Sequence, residues 1–350
     1  MLAIVLSFIF VFFQTGQPLI DAVHIEDLGP AMLIDLGDGF DSAWFVMNED
    51  ASRFLVADKQ QFFSVIDDQG AVLLKGTCAI EGEVLTIVDA YFEGEKGFIL
   101  GSNGLQMGIC AFDEEGLTGM VKLRFDHFAE AIWGDEEAVY VQFFGVRSGF
   151  NEILELPKDL FVKTAGYSDI GVLNLSAYAP DEDMEAIVRI GRISAAMSLT
   201  SSEEGLLKLW ENSSGKVLNE MKNGLGIPAV FGIINANASH FLWRDDAREK
   251  LYLSDWETES TRLIREIDGE YVQWYFLTNQ ADIGLGVLVN YEPIVIAYDL
   301  ESGERYELGE YLDCIRPPDM ARLSVDNRRL VIGCDRFIQI WEVGQEGSDS

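Results

Sequence analysis

LLKLWENSSGKVLNEM, residues Leu206 to Met221, reads as two short strands joined by a turn. Leu206, Leu207, Leu209 and Trp210 form an apolar run too short for a helix; Val217 and Leu218 supply a second, after the break Asn212, Ser213, Ser214, Gly215. Gly tolerates positive φ, and Asn and Ser side chains bond nearby backbone, so the break predicts a chain reversal. The same grammar recurs in FFSVIDDQGAVLL (Phe62 to Leu74), LYLSDWETESTRLI (Leu251 to Ile264) and IVIAYDLESGERYEL (Ile294 to Leu308). A last copy, FIQIWEV (Phe337 to Val343), lacks its second strand.

The turn positions Gly70, Gly116, Gly215, Ser260 and Gly303 are separated by 46, 99, 45 and 43 residues, the 99 being two periods. A period of roughly 40–50 residues belongs to propeller blades. Each repeat reads as four strands, and there are seven candidate segments: about Asp41 to Ile80, Glu83 to Phe125, a third to Ile170, the one carrying the opening hairpin, Ala229 to Ile267, Tyr271 to Cys314, and Met320 to Val343. The third matches least well, because Pro157-Lys158-Asp159 replaces its Gly turn. Turns between the first two strands are expected at Asn48-Glu49-Asp50, Ala179-Pro180-Asp181-Glu182, Asn235-Ala236-Asn237-Ala238 and Asp326-Asn327-Arg328.

The expected fold is therefore all-β, a seven-bladed β-propeller of four-stranded antiparallel blades. AMLIDLG (Ala31 to Gly37) stands alone before the first repeat, and an incomplete last blade would leave an unpaired sheet edge. The N-terminal strand is expected to close that blade. Strands such as IVIAY and FIQIW lack clean apolar/polar alternation, as burial of both sheet faces requires. The competing two-sheet sandwich predicts cleaner alternation.

LLKLWENSSGKVL resembles a WD-type hairpin between third and fourth strands, and SAYAPDED (Ser176 to Asp183) resembles the first turn of such repeats. The likeness is to the WD40-like and quinoprotein-like propeller superfamilies rather than to strict WD40 repeats. None of His24, His127 and His240 follows a Gly, and Trp210, Trp256 and Trp341 are each followed by Glu, not Asp.

The chain has 350 residues, 48% of them hydrophobic, enough for one large core, and domains are expected at 1-22 (an apolar leader), 23-344 (a single β-propeller) and 345-350 (a disordered acidic tail). Leu2 to Phe13 has the length of a signal-peptide core and is shorter than the ~20 residues of a membrane span. Export to a periplasmic or extracellular compartment is expected, with an N-terminal anchor or a cytoplasmic protein as the alternatives. Sequons begin at Asn174, Asn212 and Asn237. The four cysteines (Cys78, Cys110, Cys314, Cys334) read mostly as small buried hydrophobes, with a Cys314–Cys334 disulfide left open.

With 59 Asp plus Glu against 25 Lys plus Arg, the formal charge of −34 disfavours nucleic acid as a partner. The three histidines share no ligand spacing, so neither a His-based metal site nor a Ser-His-Asp triad is supported. Asp35 to Asp41 superficially matches a calcium loop but lacks its ligand spacing, leaving calcium a weak expectation. The interval Pro180 to Ser202 is read as the one irregular part of the repeat, which makes its neighbours Asp181, Glu182, Asp183 and Glu185 the candidate binding residues. The expected function is a monomeric, non-enzymatic module binding a protein or small ligand. The alternative is a propeller hydrolase or dehydrogenase with an acidic, cation-dependent site at the channel mouth.

Overall fold

The computed structural model describes residues 19–40, 44–123, 128–144, 151–161, 168–170, 175–178, 186–188, 197–202, 204–211, 216–245, 247, 249–267, 272–288, 294–310 and 320–344. They build an all-β protein of seven major sheets, each containing a four-stranded antiparallel run. A turn of 3-10 helix (Ile25–Asp27) leads into β1 (Leu28–Asp35). Sheet I follows as β2 (Phe45–Met47), β3 (Arg53–Ala57), β4 (Phe62–Asp67) and β5 (Val72–Thr77), and a small hairpin of β6 (Ala79–Ile80) and β7 (Glu83–Val84) leaves it. Sheet II is β8 (Thr86–Glu93), β9 (Lys96–Ser102), β10 (Met107–Asp113) and β11 (Gly116–Leu123).

Sheet III takes β12 (Phe128–Gly134), β13 (Ala138–Phe144) and β14 (Asn151–Pro157), and is completed only by β16 (Leu175–Tyr178). Between them the chain makes a second 3-10 turn (Lys158–Phe161) and then β15 (Ser168–Ile170), which runs parallel to β11 as a fifth strand on sheet II. Sheet IV is β17 (Ala186–Val188), β18 (Met197–Ser201), β19 (Leu206–Glu211) and β20 (Lys216–Lys222); sheet V is β21 (Val230–Ile234), β22 (His240–Arg244), β23 (Lys250–Asp255) and β24 (Ser260–Glu266). Sheet VI is β25 (Val272–Leu277), β26 (Ile283–Leu288), β27 (Ile294–Asp299) and β28 (Arg305–Glu310). Sheet VII has β29 (Met320–Leu323), β30 (Arg329–Cys334) and β31 (Phe337–Val343), and β1 pairs antiparallel to β31 as its fourth strand.

Second and third strands such as β3, β4, β9, β10 and β26 are buried on both faces, whereas the outer strands β5, β20, β24 and β28 are only partly covered. In β9, Phe98 and Leu100 enter a cluster shared with sheet III, while Ile99 between them enters one shared with sheet I. In sheet VII, Leu330, Ile332 and Trp341 pack toward sheet VI, and Val331, Ile338 and Ile340 toward sheet I. Sheets IV and V share a further cluster, as do V and VI. Since side chains alternate along a strand, two-sided burial makes every position apolar, which is why the runs do not alternate in sequence.

The turns follow one chemistry. Asp67, Asp113, Asp255 and Asp299 end the third strands of sheets I, II, V and VI, and each carboxylate accepts the amide two residues on, at 2.8–3.0 Å. Between first and second strands, Asn48, Asn235, Thr278 and Ser324 each accept at the carbonyl the amide of the residue three further on: Ala51, Ala238, Ala281 and Asn327. Those four residues have φ of 54–58°, the left-handed region.

Several expectations are corrected. Ser176 to Tyr178 belong to β16, an outer strand of sheet III, not to a first turn of the next repeat; residues 179–183 lie outside the described residues. The third segment ends at Tyr178 rather than Ile170, because Ser168–Ile170 is spent on sheet II. At the Ser260 turn the left-handed residue is Glu259, with φ of 48°. Cys78 and Cys110 are not isolated small hydrophobes but are bonded to each other, Cα to Cα 5.7 Å, across sheets I and II. Cys334 is also disulfide-bonded, while Cys314 lies outside the described residues. Among the described residues no helix is long and apolar enough to cross a membrane.

Candidate functional site

The four residues singled out in the sequence, Asp181, Glu182, Asp183 and Glu185, lie outside the described residues. The surplus length between the Gly116 and Gly215 turns includes the second 3-10 turn (Lys158–Phe161) and β15 (Ser168–Ile170), both of which lie against β11 of sheet II. Phe161 is buried there among sheet II and III side chains, and its carbonyl sits so close to Gly119 that a Cβ could not be accommodated.

Within the described residues, the seam between sheets I and II forms a cleft of about 200 Å³. Its floor is Val65 of β4, Leu73 and Leu74 of β5, Phe92 of β8 and Phe112 of β10. Phe112 meets Phe92 edge-on at 6.0 Å and Phe63 at 5.2 Å, and a Cβ on Gly97 would overlap its ring. Glycine at 97 is what lets this aromatic wall form.

The rim is charged: Arg53, Glu95, Asp113 and Glu114. Arg53 crosses the seam to the Oε1 atoms of Glu95 at 3.2 Å and Glu114 at 2.8 Å. Asp113 turns inward to the Glu115 amide. One cation against three carboxylates leaves the rim net acidic. On β5, the outer strand of sheet I, Leu73 of the floor is 49% exposed and its neighbour Val72 62%.

Cations knit other seams on the same turns. Arg329 of β30 reaches Asp68 at 2.9 Å, Glu342 at 2.7 Å and the Ala51 carbonyl at 2.9 Å, joining sheets VII and I. Lys158 spans II and III, bonding Glu93 at 2.5 Å and the Asp135 carbonyl. Burial alone would push the Asp135 carboxyl up, but the Glu137 and Ala138 amides, the Tyr140 hydroxyl and nearby Lys158 outweigh it and hold it below its usual value. Neutral amides connect the first turns: Asn235 and Asn237 donate to the Asn279 carbonyl at 3.1 Å, Asn279 donates to the Val325 carbonyl at 2.8 Å, and the Val325 amide donates to the Glu49 backbone carbonyl at 2.8 Å.

Two motifs weighed in the sequence have structural duties. Asp35 and Asp38 both engage Arg336, tying the end of β1 to the turn before β31. Ser239, His240 and Asp255 do come together, His240 contacting Ser239 Oγ at 2.7 Å and Asp255 Oδ2 at 3.8 Å. The second distance is beyond hydrogen-bond reach, Ser239 Oγ already donates to Asn237 at 2.6 Å, and Asp255 is held by Thr258, so the nucleophile–base–orienter geometry is not met. Among the described residues no group of three or more His, Cys, Asp or Glu converges in a way that could hold a metal. No protein-family model matches the chain, and no curated protein sequence matches it either.

The cleft was not visible in the sequence because its lining comes from separate strands of two sheets. The one local signal was DEEG, residues 113–116, whose three acids sit at a third-to-fourth strand turn, Asp113 and Glu114 of them on the rim.

Proposed function

We propose that the seven sheets close into a single seven-bladed β-propeller with β1 as the outer strand of the last blade, and that this propeller is an exported, non-enzymatic module that binds a protein partner. Ring closure is supported by the first strands, which approach one another in the order β2–β8–β12 and β17–β21–β25–β29, and by the core shared between sheets VII and I. The junction of III with IV adjoins residues outside the description. Trp210 holds the fifth place in β19, as Tyr298 does in β27 and Trp341 in β31. The latter two pack toward the preceding sheet, and Trp210 takes the same role toward sheet III in a closed ring.

Binding is carried by one observation, the apolar cleft with an acidic rim at the I–II seam. Exposed apolar surface that a folded monomer keeps beside polar side chains marks an interaction site. Export is supported by the Cys78–Cys110 bond and the bonded state of Cys334, since such bonds persist in oxidising compartments.

The test is a peptide-display selection on the purified full chain, with hits confirmed by calorimetry against the same chain. One-to-one binding without consumption of the peptide supports the reading. Failure to recover any binder, or turnover of generic ester, glycoside or alcohol substrates by the purified protein, contradicts it.

A further inference from the structure

We infer that the I–II seam cleft seats one large apolar side chain of an extended, lysine- or arginine-rich segment of the partner. This rests on the partner-binding reading above and names where and what is bound. The cleft is smaller than the roughly 300–1,000 Å³ of drug-sized ligand sites, so it admits a side chain rather than a cofactor or a folded element. Its floor offers no polar side chain to a guest: those of Val65, Leu73, Leu74, Phe92 and Phe112 are all hydrocarbon.

The charge of the guest's neighbours follows from the rim. Arg53 uses one oxygen of each of Glu95 and Glu114. Among the described residues the Oε2 atoms of both carboxylates carry no partner, and the two side chains are 65% and 60% exposed. They converge on the same Nη2 of Arg53 at the rim of an apolar opening, on a chain of formal charge −34, where a cationic segment is steered in and an acidic one is repelled. The Cys78–Cys110 bond joins the end of sheet I to sheet II whether or not a guest is present.

The experiment is fluorescence anisotropy on the full chain with a labelled heptapeptide carrying a central leucine between two lysines on each side. Two companion peptides have alanine at the centre or glutamates in place of the lysines. Leucine is expected to bind about tenfold tighter than alanine, the glutamate peptide not to bind, and affinity to fall as salt rises from ~50 to ~300 mM. Leu73→Ser should abolish the preference for leucine over alanine. The double variant Glu95→Gln with Glu114→Gln should weaken binding and reduce its salt dependence, and both should keep the wild-type thermal transition. Equal affinity for the leucine and alanine peptides overturns the inference. So does wild-type binding by Leu73→Ser, which would place the peptide elsewhere and leave the partner-binding reading standing. Absence of binding by all three peptides overturns the seam assignment, while the display selection judges the broader reading separately.

Discussion

Replacing both Cys78 and Cys110 by alanine should cost the protein about 4 kcal/mol. The bond closes a loop of 32 residues between the end of sheet I and the third strand of sheet II. In the chain-entropy treatment such a loop withholds about 12 cal/mol/K from the unfolded chain, or about 4 kcal/mol at 25 °C. Packing adds little, because both cysteines are fully buried among Phe63, Ile99 and Phe112 and alanine removes only the sulfur atoms from that cluster. In a chain of this size the loss corresponds to a midpoint lowered by about 5–10 °C. The assay is urea denaturation of the oxidised wild type and the double variant, with non-reducing peptide mapping to establish the connectivity. A stability loss below about 1 kcal/mol with the bond present in the wild type would refute the loop argument. A map joining Cys78 to another cysteine would refute the arrangement of sheets I and II.

Two further perturbations address the seams. Arg329→Met keeps the apolar stem but strands Asp68 and Glu342, and with the arginine side chain only 13% exposed the loss should be about 2–4 kcal/mol in urea denaturation at an unchanged m-value. For pH, Asp135 has its carboxyl held below the usual value, so its contribution is present above the unfolded pKa of about 4 and disappears as pH falls through the folded value. The difference in melting temperature between wild type and Asp135→Asn should therefore be constant above about pH 5 and shrink below pH ~4. A difference that grows on acidification would reverse the sign of the argument.

How much of this was legible in the sequence varies by level. The hairpins of third and fourth strands were legible because a Gly after a short, mostly polar run that begins with Asp marks a turn whatever surrounds it, as at Gly70, Gly116 and Gly303, all at positive φ. The N-terminal strand was legible from a missing partner, and Leu28 to Asp35 lie against Val343 to Phe337. The repeated first turns were only half legible, since their left-handed residue is alanine at 51, 238 and 281, a type that carries no turn signal. The departure of β15 to sheet II was legible only as surplus length in the period, not as a strand, because a run of three residues with no flanking repeat looks like loop. The Cys78–Cys110 bond and the seam cleft share one cause: each joins residues from different sheets, and proximity across a sheet junction is a property of packing that spacing along the chain does not encode.

The pairing of the two chain ends is tested most directly by a cross-link in the observed register. Leu33 of β1 faces Gln339 of β31. Leu33→Cys with Gln339→Cys, oxidised and mapped by non-reducing mass spectrometry, should give an intramolecular disulfide in a monomer, while Leu33→Cys with Ile332→Cys on the neighbouring strand should not. Free thiols at 33 and 339, or a bond found only between molecules, would contradict a fold fastened by its own N-terminal strand.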